Sequence, residues 1–405
     1  MLIYTSCASL IKRKKMKKFI VFITLLAVNI ISSQNKESNG IIKNSETLAP
    51  IEFVNISFEV ENSSISTGSI SNESGEFKIS YIGNKVTFSH ISYETLTTIL
   101  SDDFNEILLK PKEFTLDEIV ISTISPRDYL KEVIKNSKNK IVKNSVLKSY
   151  SREFVKINDE YTKFSDALVD YYIRRKNGKS DILLKEHRAF YNNIIDEVEG
   201  FNAYNLNSVF DVNDYVKNAY DFKELKNILN NKSYTFEWTF KEDLNGEQYE
   251  CLEIIPNIET EELLNKGYVI IDPKTHNILE FKIYTSDEHL ENSETKSILG
   301  IKFRLNHILK WSKFKIIDDN YILYYNKKQV NIYIKIGEKV DDELDFNSDL
   351  YVYEFMENKE FEGNKYKGKT IFEAGTSFKE EFWLKYNSFP LTKTQENFIR
   401  TAKVN

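Results

Sequence analysis

The stretch Pro50-Ile51-Glu52-Phe53-Val54-Asn55-Ile56-Ser57-Phe58-Glu59-Val60 puts Val54, Ile56, Phe58 and Val60 on one side of an extended chain. Phe53, Asn55, Ser57 and Glu59 fall on the other. That period of two is what a pleated strand with one buried face requires. Outward from it, Ser64 to Ile70 reads as a second strand. The turn Asn72-Glu73-Ser74-Gly75 follows, and Phe77 and Ile79 then alternate again. Asn with Gly three residues on suits a tight hairpin connection, Gly supplying the positive φ. Further short strands read at Lys85 to His90, Glu94 to Leu100, Glu106 to Leu109 and Glu118 to Ser122. Seven or eight strands joined by regular turns predict a β-sandwich over residues 34–124.

Particular residues in this region carry a resemblance. Gly40, Leu48-Ala49-Pro50, Val54-Asn55-Ile56, Thr67-Gly68, Asn72, Gly75-Glu76-Phe77 and Val86-Thr87-Phe88-Ser89 occur in order. Ile91-Ser92-Tyr93-Glu94, Leu108 and Leu116-Asp117-Glu118-Ile119-Val120-Ile121 complete the series. The segment resembles the carboxypeptidase-like regulatory domain family, departing from it at Ser92, where Gly is usual, and at His90, where an aromatic is common. The resemblance implies a transthyretin-like sandwich at the front of an exported envelope protein, and no catalysis. A zinc peptidase would need a His-x-x-Glu pair and a distant His. None of His90, His187, His276, His289 and His307 has Glu three residues later.

Residues 125–405 read as an α+β domain of unknown function. Ser125-Pro126-Arg127-Asp128 is a helix start with Ser as N-cap and Pro at N1. Leu130, Val133, Ile134 and Ser137 form the buried face of a helix to about Lys140. Lys148 to Lys156 alternates as a strand, Asp159 to Arg174 leans to strand, and Asp221 to Asn230 reads as helix. Strands then follow at Tyr234 to Lys241, Tyr249 to Ile255, Gly267 to Asp272, Ile278 to Thr285 and Ile301 to Ile316. Tyr321 to Tyr325, Val330 to Ile336 and Leu350 to Phe355 continue the series, with Asn326-Lys327-Lys328 read as a turn. Short links between alternating strands predict a long antiparallel meander. Residues 230–356 are expected to form one strongly curved sheet with both helices on its concave face. The Gly267 to Tyr284 segment resembles a strand pair of periplasmic lipoprotein-carrier-like half-barrels. The helix after Pro126, the Tyr150-Ser151-Arg152-Glu153 strand and the closing Phe378 to Thr392 resemble uncharacterised regions that follow this sandwich in other exported proteins.

Composition agrees with a mainly β chain: 24 Tyr, 27 Phe and only 6 Pro. At the N-terminus Lys12, Arg13, Lys14, Lys15, Lys17 and Lys18 precede the apolar run Phe19 to Ile31, the layout of a signal peptide over residues 1–33. Cleavage is expected before Gln34; a retained anchor is the alternative, and Met16 is an alternative start. Loss of those six cations takes the formal net charge from −6 to −12. An acid balance disfavours nucleic acid or an anionic membrane surface as the main partner. Cys7 leaves with the leader and Cys251 stands alone, so no internal disulfide can form. No later run is long and apolar enough for a membrane helix. Length and the terminal Val404-Asn405 argue against a receptor barrel.

Motifs that could carry chemistry fail on context. Gly363-Asn364-Lys365-Tyr366-Lys367-Gly368-Lys369-Thr370 fits a P-loop letter for letter, but a charged segment precedes it and no helix is expected after it. Cys251 reads as a small core residue, and His187 and His276 as solvated surface. The carboxylates Asp341, Asp342, Glu343 and Asp345, and Glu259, Glu261 and Glu262, read as solvated loops rather than a glycosidase pair or calcium loop. The expectation is therefore a non-catalytic protein of the periplasm or the periplasmic face of the outer membrane. It has no catalytic, cofactor-binding or metal residues and acts by binding or scaffolding, with an envelope protein or an apolar or glycan ligand as partner. The alternatives are a carrier holding an apolar ligand in a curved-sheet groove, and an undetected hydrolase.

Overall fold

The structure, a computed structural model, describes residues 36–58, 67–81, 85–90, 92–101, 104–112, 124–192, 209–242, 248–298, 300–317, 319–338, 340–377, 382–383 and 389–405. The expected signal peptide and the strand at Glu118 to Ser122 lie outside these residues. Seven strands come first: β1 (Lys36–Asn44), β2 (Asn55–Phe58), β3 (Thr67–Ile70), β4 (Glu76–Tyr81), β5 (Val86–His90), β6 (Tyr93–Thr98) and β7 (Phe104–Leu109). They form a three-stranded sheet, β4-β1-β7, and a four-stranded sheet, β3-β2-β5-β6. Ile42, Val54, Ile56, Phe77, Phe88 and Leu109 fill the space between them. The turn behaves as read. Asn72 Oδ1 accepts from Ser74 N and Glu76 N, each at 2.9 Å. Gly75 has φ +73°, and a Cβ there would sit 2.6 Å from Ile42 O. The expected strand over 50–60 is shorter, because Phe53 bends the chain at φ +55° and points away from the sandwich core.

The remaining elements are α1 (Pro126–Lys140), β8 (Ser145–Ile157), β9 (Glu160–Ile173), β10 (Ser180–Tyr191), α2 (Val212–Tyr220) and α3 (Lys223–Asn230). Then come β11 (Tyr234–Glu242), β12 (Gln248–Pro256), β13 (Asn265–Asp272), β14 (Asn277–Thr285) and β15 (Lys296–Ile298). The chain closes with β16 (Ile301–Ile317), β17 (Asn320–Ile336), β18 (Val340–Met356), α4 (Lys393–Thr401) and β19 (Lys403–Val404). One twelve-stranded sheet runs β11-β12-β13-β14-β16-β17-β18-β8-β9-β10-β19, with β15 on β16, and its pairings are antiparallel. The expected sheet over 230–356 is thus correct in sense but too small. Strand β8 pairs with β18, so β8 to β10 extend the same sheet.

The helices explain the curvature. Laid flat, β11 and β10 would stand roughly 40 Å apart at normal strand spacing. Yet α1 packs on β11, β14 and β17, α2 packs on β17 and β10, and α3 touches both helices. One apolar cluster takes in Phe236 of β11, Ile182 of β10 and Leu130, Tyr220 and Leu225 of the helices. Two edges reach a common core only if the sheet wraps around it. The predicted cap holds, Ser125 Oγ accepting from Asp128 N at 3.1 Å, and Leu130, Val133, Ile134 and Ser137 are the buried residues of α1. Helix α2 and strand β10 were not anticipated.

Two expected breaks are absent. Asn326-Lys327-Lys328 is the middle of a continuous β17, and Asp341 to Asp349 lies within β18. Each long strand pairs along almost its whole length with its neighbour, which outweighs the local polarity that suggested a turn and a loop.

Candidate functional site

Alternation along β16 to β18 gives the sheet two faces of different character. The middle of the outer face is covered. Arg152 Nε donates to Asp349 Oδ2 at 2.9 Å with both side chains fully buried, and Tyr325 OH donates to Asp349 Oδ1 at 2.9 Å. Arg188 holds Asp166 through two bonds of 2.8 and 2.9 Å, and Tyr150 OH donates to the same carboxylate. Phe389 lies 3.9 Å from the Arg152 guanidinium and Trp383 lies 4.3 Å from that of Arg188. The sandwich docks beside them. Phe53 stacks on Tyr325 at 4.9 Å between ring centroids, and Lys327 reaches both Phe53 and Glu73. Arg188 is therefore half of a buried pair, not part of the charged surface expected around His187.

The inner face is different. Cross-strand pairs on β16 and β17 run Ser312 with Asn326, then Lys310 with Lys328. Ile308 with Val330, Leu305 with Ile332, Phe303 with Ile334 and Ile301 with Ile336 follow. The face changes along the strands from polar, through cationic, to four apolar rungs about 20 Å long at the usual rise. Phe346 and Leu344 of β18 and Val155 and Ile157 of β8 widen the apolar part. Asp342 interrupts it and accepts from Asn158 Nδ2 at 2.8 Å. Beyond the strands, this cluster's described members are Val209, Phe210 and Phe372; residues of α1 and α3 cover the other end of the face. Ile301, Leu305, Ile308, Ile332 and Ile336 are only partly buried.

A cavity of about 260 Å³ opens at the cationic rung between α2, α3 and strands β14, β16 and β17. Val209 and Phe210 line it and also belong to the apolar cluster, so cavity and strip are continuous. Its charges are Asp211, Asp214, Lys223, Glu224, Lys310 and Lys328. Glu224 pairs with Lys310, Asp214 pairs with Lys217 at 3.1 Å, and Asp211 caps α2 by accepting from Asn213 N. Lys328 Nζ donates to the Val209 carbonyl. Burial first, then neighbouring Lys310, holds the Lys328 ammonium below the usual lysine range. Tyr215, on the wall, donates to Glu153 Oε1 at 2.7 Å. Glu153 also accepts from Ile371 N and Ser165 Oγ, but full burial wins and pushes its carboxyl up to about 7. A second depression of about 280 Å³ lies over β12 to β14, where Lys266 already pairs with Asp287 and Glu288.

The other singled-out residues are scattered. The P-loop-like segment follows β18 without strand or helix. Lys365 pairs with Asp181 at 2.8 Å, and the Lys369 carbonyl accepts from Val212 N. Cys251 is buried in β12, as read. His276 is not simply solvated: its Nδ1 is 2.8 Å from Tyr129 OH. Asp341 pairs with Lys335, and Asp345 is bound by Gln329 and Asn347. Among the described residues no group of His, Cys, Asp and Glu could hold a metal ion. No helix of the described residues is long and apolar enough to cross a membrane.

No protein-family model and no curated protein matches the chain. Solved structures give distant likenesses. A DUF1329 family protein from Desulfovibrio piger is 10% identical, with TM-score 0.25, over 56% of this chain and 94% of that one. Lipovitellin, in a structure of its lipid–protein interactions, is 8% identical with TM-score 0.25, over 62% of this chain and 29% of that one. A LolA superfamily protein from Nitrosomonas europaea is 8% identical with TM-score 0.18, over 57% and 95%. TM-scores this low leave the function to the geometry of the site.

Proposed function

We propose that the chain is an exported, non-catalytic binding protein that seats an apolar chain on the inner face of its curved sheet. The observation that carries this is the row of four apolar rungs opening from a cavity, with Ile301, Leu305, Ile308, Ile332 and Ile336 only partly buried. Apolar surface left near water costs roughly 25 cal/mol per Å². A contiguous strip of it beside a cavity is the usual form of a binding site. Export to the periplasm or the periplasmic face of the outer membrane belongs to the same reading, supported by the basic and apolar N-terminus. So does membership of residues 34–124 in the carboxypeptidase-like regulatory domain family, supported by the seven strands in two sheets. Docked through Phe53, that sandwich braces the outer face while the inner face binds. The scaffolding reading has one supporting feature, Phe104 and Leu108, exposed on strand β7 at the edge of its three-stranded sheet.

The neutral fluorophore N-phenylnaphthylamine tests the reading. It should brighten on binding the protein. Ile332→Asp, which puts an unpaired charge on the strip, should abolish the signal, and Ile258→Asp, on an exposed turn, should keep it. Equal binding by both variants would remove the strip as the site.

A further inference from the structure

We infer that the ligand is a single-chain amphiphile with an anionic head, an alkyl carboxylate, whose head lies in the cavity at Lys328 and Lys223 and whose tail lies along the apolar rungs. This rests on the proposed binding of an apolar chain and adds the head group and its orientation. The first argument is the order of side chains on one strand face. The Lys310–Lys328 rung lies directly beside Ile308–Val330, so cation and apolar strip meet without a gap. The second is charge. The three acids at the cavity are already engaged, Glu224 by Lys310, Asp214 by Lys217 and Asp211 by the start of α2. Among the described residues neither Lys223 nor Lys328 has a carboxylate partner, and Lys328 is met by a neutral carbonyl. Lys223 is exposed at the rim, whereas Lys328 is half-buried; an ammonium withdrawn from water is costly unless paired, and an anion at this place supplies the pair. The third is size. About 260 Å³ is less than the roughly 300–1,000 Å³ of an ordinary ligand pocket. It suits a small head and the first carbons, so the rest of the chain must leave along the strip.

Three probes sharing one tail decide it: dodecanoate, dodecanol and dodecyltrimethylammonium, titrated below micelle formation against the full chain by calorimetry. One charge-assisted contact should make dodecanoate bind at least about tenfold more tightly than dodecanol. The cationic probe should bind more weakly than either. Lys328→Gln with Lys223→Gln should bring dodecanoate to the level of dodecanol and leave dodecanol unchanged. Equal affinities for the three heads, or a preference that survives the double substitution, would overturn the head-group assignment while keeping the apolar strip. Failure of all three to bind would overturn the strip and the head group together. Tighter binding of dodecyl phosphate than of dodecanoate would replace the carboxylate by a phosphate head.

Discussion

Glu153 ties the cavity wall to the core, and its titration should be visible in the stability of the whole protein. Its carboxyl is fully buried, receives hydrogen bonds from Tyr215, Ser165 and Ile371 N, and is pushed up by burial from 4.5 to about 7. The unfolded chain releases this proton near 4.5, whereas the folded chain keeps it to about 7. The group's contribution is therefore fully present below pH 4.5 and is lost as pH rises through 7. Two and a half units at 1.36 kcal/mol each amount to about 3 kcal/mol. Urea unfolding at a series of pH values from 5 to 8 would measure it, comparing wild type with Glu153→Gln. The variant cannot titrate. It should forfeit about 1 kcal/mol at pH 5, because its amide NH₂ faces a donor, and should show a correspondingly flatter pH dependence. Parallel stability curves for the two proteins between pH 5 and 8 would refute the reasoning.

Two further outcomes are expected, one from the structure and one from the N-terminal sequence. Asp349→Ala leaves the fully buried Arg152 without its carboxylate and should cost about 3–5 kcal/mol in urea unfolding. Replacing both, Arg152→Met with Asp349→Leu, should recover most of that loss. Fractionation and N-terminal sequencing should find the protein outside the cytoplasm with Gln34 or a close neighbour first; a cytoplasmic species starting at Met1 or Met16 would end the export reading.

The sandwich was legible because its strands are short and each is closed by local chemistry, as at Asn72 and Gly75. Helix α1 was legible from its cap and its four-residue buried face. The meander was legible in kind but not in extent. Strand β10 carries Lys185 and Arg188, whose partners Asp170 and Asp166 lie on β9, so its charges looked like surface. The character of the inner face was hidden in the same way. Asn326-Lys327-Lys328 looked like a turn, although alternation carried through it puts Lys327 outward against Phe53 and Lys328 inward beside Lys310. Carrying the register across those three residues would have shown the cationic rung. The sheet's closure onto three short helices depends on contacts between distant segments, which no local pattern records.

The most direct measurement is where a bound alkyl chain touches the protein. A photoactivatable alkyl carboxylate bound to the full chain, irradiated and mapped by mass spectrometry of peptides, reports it. The account predicts labels on Ile308, Val330, Ile332 and Phe210, on the inner face of β16 and β17 and beside the cavity. Labels confined to the sandwich, to the outer face around Trp311 and Tyr325, or to the depression over β12 to β14 would contradict it.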